Sequence, residues 1–458
     1  MAVSKDKPIL VAAAFNAAGH TGGLIQISQH LIKKGYRIYF LAGSDFQASI
    51  EKIGAEFIEN PFHWEKIVAS APPGREHDEL WILEHVFGAS LPSVHRVLKE
   101  TLEQVRREHP HSEVILLHEL MFGGVGPFLY GAPLPQGYSS FPKVINFHTT
   151  IFTATDGSIP PYGPGLPYDP TPENLALWRS ICDQAKPVTA GLVEYYNNQY
   201  KALGATRRVQ GNLFDIQLGF GKVTVMTRSP SLEYPIHTSK HQLRLIGGLP
   251  PKTLSDDFAY PTWWSTITAN AALPDSSPNK KKLVFVSQGT VHRVYDDLVI
   301  PTINALANRS DLIVVATLGT CGAQLDDGVN IPDNAIVVDY FPYDALLPYA
   351  DVFVCNAGYN GFIHSVMNGV PLVCSGLVTD KAETSARAEW AGVAVNLRAQ
   401  RPDEKAIREG VDKILAEPRY KQRAMELKRE NEAMDPLARV EEIIEEVVAG
   451  PGNDVVQS

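Results

Sequence analysis

Two stretches of this sequence carry residue types suited to chemistry. His20 sits in Gly19-His20-Thr21-Gly22-Gly23, shortly after the apolar run Pro8 to Phe15. A histidine in a glycine-rich turn at a strand end can meet a substrate, and its ordinary pKa of about 6.5 suits proton abstraction at neutral pH. A carboxylate beside it would fix the tautomer and stabilise the imidazolium, and Glu119, closing the run Glu113 to Glu119, is the one best placed by strand order. In the second stretch, Val352 to Cys355 opens into Asn356-Ala357-Gly358-Tyr359-Asn360-Gly361, with a helical pattern expected from near Phe362. A strand that feeds a helix through small residues brings backbone N–H groups and the positive end of a helix dipole to one point, which suits a diphosphate. Gly358 and Gly361 would let the backbone approach it closely. Plainer readings stand beside these: His20 as a turn residue, Glu119 as a solvated strand end, and 356–361 as an ordinary βα turn.

Positioning such residues takes parallel sheets. Pro8 to Phe15 reads as a buried strand, Leu24, Ile27, Leu31 and Ile32 recur at helical spacing, and Tyr36 to Ala42 is the next strand, which together make a βαβ unit. The alternation continues through Ala55 to Ile58, a helical stretch from Glu79 to Glu108 broken at Pro92, Glu113 to Glu119, and Lys143 to Phe147. Open parallel sheets gather ligands at the carboxyl ends of their strands, where His20, Glu119 and His148 all fall. Residues 151–172 are rich in Gly, Pro, Tyr and Thr and form a long irregular loop, either a wall for an apolar ligand or a surface excursion. Helices are expected over Glu173 to Ala185 and Leu192 to Leu203, and strands over Gly221 to Thr227 and Gln242 to Ile246. A proline- and glycine-rich segment, 247–282, marks the domain boundary.

A second α/β unit follows, with a strand at Leu283 to Ser287, a turn at Gln288-Gly289-Thr290, and further strands at Leu312 to Ala316, Ala335 to Val338, Val352 to Cys355 and Pro371 to Cys374. Helical patterns at Glu404 to Ala416, Arg419 to Glu432 and Pro436 to Val448 end the chain. The expected organisation is an N-terminal domain over 1–246, a linker over 247–282, a C-terminal domain over 283–435, and a terminal helix and tail over 436–458.

Composition narrows the function classes. A length of 458 residues is long for one core, and a formal charge of -10 argues against broad nucleic-acid binding. The cysteines at 182, 321, 355 and 374 show no pair spacing, which fits a reducing, cytoplasmic setting. The run Ile9 to Ala18 follows Lys5 and Lys7 in the manner of a short signal peptide but reads better as a first strand. No segment approaches the roughly twenty apolar residues that span a bilayer. There is no G-x-G-x-x-G with a following acid, no P-loop and no D-x-D spacing, so dehydrogenase, P-loop ATPase and metal-held diphosphate readings are all weakened.

Together these pieces resemble the inverting, two-Rossmann (GT-B) glycosyltransferases that use UDP-sugars, in particular the macrolide-type and fungal branch acting on small phenolic or polyketide acceptors. The resemblance covers nearly the whole chain and is strongest in Val284-Phe285-Val286-Ser287-Gln288-Gly289-Thr290 and from Asp339 onward. It implies an α/β fold of two facing Rossmann-like domains, with the C-terminal helix returning to the N-terminal one. It also implies a UDP-sugar as co-substrate, glucose by default, with no metal and inversion at the anomeric carbon. By position, His20 is the implied base and Glu119 its partner. Gly289, Thr290, Asn356, Gly358, Asn360 and Gly361 meet the diphosphate, and backbone near Phe341 and Tyr343 meets uracil. His364 falls at the ribose position, and Asp380 and Lys381 at the sugar. Four positions depart from the plant pattern: Asn356 replaces a histidine, His364 a glutamate, Lys381 a glutamine, and Glu119 an aspartate. An imidazole cannot accept two ribose hydroxyls as a carboxylate does, so a glutamate restored at 364 is expected to strengthen UDP binding. A UDP-sugar epimerase and a non-catalytic UDP-sugar-binding protein are the rival classes.

Overall fold

The computed structural model describes residues 7–75, 78–212, 220–236, 242–254 and 258–450. Lys5, linker residues 255–257 and tail residues 451–458 lie outside them. Two wholly parallel sheets organise the chain. The first contains β1 (Ile9–Ala13), β2 (Ile38–Ala42), β3 (Glu56–Glu59), β4 (Val114–Glu119), β5 (Lys143–His148), β6 (Val223–Met226) and β7 (Leu243–Leu245), in the order β3-β2-β1-β4-β5-β6-β7. The second contains β8 (Lys282–Ser287), β9 (Leu312–Thr317), β10 (Ala335–Val338), β11 (Val352–Cys355), β12 (Leu372–Cys374) and β13 (Ala394–Asn396), in the order β10-β9-β8-β11-β12-β13. Central strands such as β1, β4 and β11 are buried along their whole length, because helices cover both faces. That is why they read as continuous apolar runs rather than as alternating ones.

Each sheet reverses its strand order once at its centre, between β1 and β4 and between β8 and β11. The crossovers on either side diverge there and leave a crevice at the carboxyl ends. Register aligns those ends: Ala13 pairs with His118, and Cys355 with Ser287. His20 and Glu119 therefore follow the two strands of one crevice, and Gly289 and Asn356 those of the other.

Helix α1 (Ala18–Lys33) starts before the glycines, so the turn expected over 19–23 is helical. Gly22 and Gly23 serve packing instead, since an added Cβ would stand 3.0 Å from Lys252 Nζ and 3.3 Å from Leu249 Cδ1 of the interdomain segment. Helix α2 (Ala89–Glu108) runs through Pro92 and is preceded by a π-helical stretch over Leu83–Gly88, a wider turn that accommodates the lost N–H without ending the helix. Similarly α3 (Pro172–Ala202) is one helix through Pro187 where two were expected. The segment 247–282 contains α4 (Trp264–Ala272), whose Trp264 and Ile267 join the core around Phe285 and Phe353. The last helix, Pro436–Ala449, buries Val440, Ile443 and Ile444 against Leu10, Leu24 and Ile115, so it returns to the N-terminal domain. Among the described residues no helix is long and apolar enough to cross a membrane.

Candidate active site

His20 lies in the first turn of α1, directly above the end of β4. Its Nδ1 is 2.8 Å from Glu119 Oε1, and Thr149 Oγ1 donates to the same oxygen at 2.7 Å. The other carboxylate oxygen accepts the backbone N–H groups of Met121 at 3.1 Å and Phe15 at 3.4 Å. Glu119 is fully buried, and a lone buried carboxylate would neutralise itself; here four donors hold it charged. Burial pushes the Glu119 carboxyl up, but the His20 charge and the bonds from His20 and Thr149 outweigh it, so the group sits below its ordinary value. For His20 burial pulls the imidazole down, and the Glu119 charge and hydrogen bond, with a further contribution from Asp380, bring it above 6.5. Nε2 makes no hydrogen bond among the described residues. The ring meets Phe15 edge-on at 5.5 Å, and Phe15 in turn contacts Phe87 at 4.8 Å and Trp64 at 6.1 Å. An apolar surface thus adjoins the imidazole.

His148, the third histidine at a strand end, is different. It is buried, and burial with the neighbouring Arg228 charge pushes it down to about 3, while its Nδ1 is 3.0 Å from Thr150 O. It stays neutral and structural.

In the facing domain, α5 (Tyr359–Met367) begins three residues earlier than expected, with Gly358 as its N-cap and Gly361 inside the first turn. Gly358 has no side chain to cap it and no acid stands in its first turn; Asn356 Oδ1 accepts the Gly358 N–H at 3.4 Å, and the N–H groups of Tyr359, Asn360 and Gly361 are the ones an anion could meet. Ala357 before it has φ 55°, and Thr379 before Asp380 has φ 56°. Left-handed backbone at non-glycine residues costs about 1–3 kcal/mol and clusters at functional sites. Asn356 Nδ2 donates to Gln288 O at 2.7 Å, tying this turn to Gly289 and the exposed Thr290 at the end of β8. Tyr343 donates its O–H to Ser287 Oγ at 2.7 Å, whereas the Phe341 ring is buried against Trp263 and Trp264 and leaves only its backbone for a ligand. His364 Nδ1 is 2.8 Å from Asp344 Oδ1. Asp380 is the N-cap of α6 (Lys381–Trp390), and Lys381 Nζ donates to Thr379 Oγ1 at 2.9 Å. Burial pulls the Lys381 ammonium down against the opposing Asp380 and Glu79 charges.

Two contacts join the halves at this point. Asn360 Nδ2 donates to Gly19 O at 3.1 Å, one residue from His20, and Thr150 Oγ1 donates to Asp380 Oδ2 at 2.9 Å. A family model described as UDP-glucoronosyl and UDP-glucosyl transferase matches residues 280–452. Across 96% of its length the chain is 39% identical to UDP-glucosyltransferase 1 of Beauveria bassiana (strain ARSEF 2860), covering 96% of that relative. The chain belongs to the UDP-glycosyltransferase family. UDP-glucosyltransferase B1 of Starmerella bombicola is 30% identical over 97% of this enzyme and 99% of the relative. A crystal structure described as the glycotransferase of kitacinnamycin shares the fold, with TM-score 0.68 at 17% identity over 96% of this chain and 99% of that one. The enzyme is a UDP-glycosyltransferase of two Rossmann-like domains that uses a UDP-sugar as co-substrate and a small-molecule acceptor. Among the described residues, no group of three or more His, Cys, Asp or Glu side chains could hold a metal ion.

Several polar residues at this UDP-glycosyltransferase site escaped the sequence reading. Thr149 and Thr150 directly follow the β5 strand end, so the strand-end rule that singled out His148 extends to them by one and two positions. Asp344 lies within the matched stretch beside Tyr343 and carries no motif of its own. The loop at 151–172 crosses the cleft: Tyr162 donates to Glu79 Oε1 at 2.5 Å, and the Gly163 and Gly165 N–H groups reach Glu383 on α6.

Proposed function

We propose that this UDP-glycosyltransferase moves glucose from UDP-glucose to a hydroxyl of a small hydrophobic, phenolic or polyketide-like acceptor, with inversion, and that His20 is the general base. The observation that carries the reading is the meeting of the His20–Glu119 pair, its ring beside Phe15, with the start of α5 through Asn360. Residues 1–246 receive the acceptor against the apolar surface of Phe15, Trp64 and Phe87, and residues 283–435 hold the donor. Nε2 takes the proton of the acceptor hydroxyl as its oxygen attacks the anomeric carbon in line, and Glu119 stabilises the imidazolium through Nδ1. Charge on the departing UDP is met by N–H groups at Gly358 to Gly361, by Asn356 and Asn360, and by Thr290 across the sheet. Asp380 and Lys381 bind sugar hydroxyls, His364 faces the ribose, and uracil lies along the backbone of Phe341 to Tyr343. Closure about the 247–282 segment keeps water from the donor.

The test is to incubate the protein with UDP-glucose and a panel of phenols, following UDP release and product mass. Acceptor-dependent UDP release with a product heavier by one hexose is expected. Turnover by His20→Ala within a few-fold of the parent would remove His20 from the role of base.

A further inference from the structure

Helix α6 presents three charged residues on one face: Asp380 at its N-cap, Glu383 three positions on and Arg387 four further, a spacing that lines them up along a helix. All three are gripped by the other domain. Asp380 accepts from Thr150 at 2.9 Å. Glu383 Oε1 accepts the backbone N–H of Gly163 at 3.0 Å and of Gly165 at 2.8 Å. Arg387 donates through Nε to Glu233 Oε1 at 2.6 Å and through Nη2 to Phe152 O at 2.7 Å. Behind them Arg228 forms an ion pair with the second oxygen of Glu233 at 2.7 Å and donates to Thr150 O at 3.0 Å, closing the set back on the residue that holds Asp380.

Arg228, Glu233, Glu383 and Arg387 are all essentially without solvent. Two cations and two anions balance, and each is hydrogen-bonded, which is the condition under which such charges persist in an interior. A hydrophobic contact would hold the two domains together without fixing a distance; directional, charge-assisted bonds fix where α6 sits. The approach is close as well. Gly165 has φ 58°, and a Cβ there would stand 2.9 Å from Ala382 Cβ, so the loop meets the helix backbone only because this position has no side chain.

We propose that the Asp380, Glu383 and Arg387 face of α6 is a docking key through which the N-terminal domain sets the position of the donor sugar, with Glu383 and Arg387 as positioning residues. This rests on Asp380 and Lys381 being the sugar-binding residues. UDP alone engages α5 and the β8 end; Arg228 stands 5.1 Å from the Tyr359 ring at the start of α5, but the hydrogen bonds of Asp380, Glu383 and Arg387 run to the N-terminal domain and within α6 rather than to α5, so UDP affinity should be independent of these three. The sugar is held in register only when the 158–165 loop and the Glu233 segment are seated.

Three variants test this in the full chain: Glu383→Gln, Arg387→Lys, and Gly165→Ala, which displaces the loop while leaving every charge in place. Each should raise the KM for UDP-glucose about tenfold, the factor corresponding to one charge-assisted hydrogen bond. UDP affinity, measured by calorimetry, should stay within about twofold. The fraction of UDP-glucose lost to water rather than acceptor should rise. Asp380→Ala is the reference. If it leaves donor KM unchanged, the sugar-site assignment fails and the key with it. If Asp380→Ala acts while correctly folded Gly165→Ala and Arg387→Lys leave KM and hydrolysis unchanged, the assignment stands and the key is overturned. An equal loss of UDP affinity in these variants overturns it too, since that marks a general loss of structure. Should Glu383→Gln not fold, the other two variants decide the matter.

Discussion

The two domains carry matching pairs: His20 with Glu119, and His364 with Asp344. In each the imidazole Nδ1 is 2.8 Å from a carboxylate oxygen, the histidine side chain is about a third exposed (27% and 32%), and the carboxylate is buried. Geometry within the pair therefore cannot say which is a base, and the proposal of His20 rests on the surroundings. Glu119 takes four donors, two of them from side chains at the cleft, and the His20 ring adjoins an aromatic surface. Asp344 instead takes the Asn368 amide at 3.1 Å and the Lys252 N–H at 2.8 Å, so it also anchors the interdomain segment. His364 stands edge-on to Tyr343 at 5.9 Å, in the donor half. Under the proposed function, the first pair stabilises charge that appears during the reaction, and the second aims a ring at the ribose.

Breaking the first pair should have the largest effect. His20→Ala is expected to lower kcat about a thousandfold, the range of a lost general base, with UDP affinity unchanged. His364→Ala should do the reverse, weakening UDP binding with a smaller effect on kcat, as measured by calorimetry beside steady-state rates. Glu119→Gln, which keeps the shape and loses the charge, should cost about a hundredfold in kcat.

The same substitution has a pH signature. The base must be neutral to act, so kcat/KM falls as pH drops through the His20 pKa. Because Glu119 and its hydrogen bond bring that pKa above 6.5 against burial, the acid limb of the parent should lie above 6.5. In Glu119→Gln burial is opposed by the smaller Asp380 contribution and no longer by Glu119, so the limb should move to lower pH even as the rate falls. A limb that stays where it was would mean that Glu119 does not act through His20.

How far these pairs could be read beforehand follows from where their partners lie. The strands were legible because burial on both faces leaves continuous runs such as Val352 to Cys355, and His20 and Glu119 were legible because strand order puts both at one crevice. The starts of α1 and α5 were misplaced for a shared reason. Gly19, Gly22, Gly23 and Gly361 are poor helix formers, yet they sit inside helices, the first three where a neighbouring segment approaches closely, so local propensity pointed away from what tertiary packing selects. Glu383 and Arg387 carried no signal at all. Their partners are 154 to 235 residues away in the chain and become neighbours only when the domains face each other.

The second pair yields the smallest and most discriminating prediction. From the sequence alone a glutamate at 364 promises tighter UDP binding, because a carboxylate accepts two ribose hydroxyls. The structure places Asp344 against that position and holds its carboxyl below the ordinary range, in part through the charge and hydrogen bond of His364, which oppose burial. His364→Glu would remove that partner and set a second anion beside a buried one, a like-charge contact that either repels or takes up a proton. UDP affinity should therefore fall about tenfold rather than rise. Adding Asp344→Asn removes the repulsion, and its amide can donate to the new glutamate, so the double variant should return to within about threefold of the parent. If His364→Glu alone binds UDP more tightly, Asp344 does not govern this position and the two pairs are alike only in geometry. If the double variant gains nothing over the single one, the loss comes from the missing imidazole itself, which would then be a direct ribose contact that no carboxylate at 364 replaces.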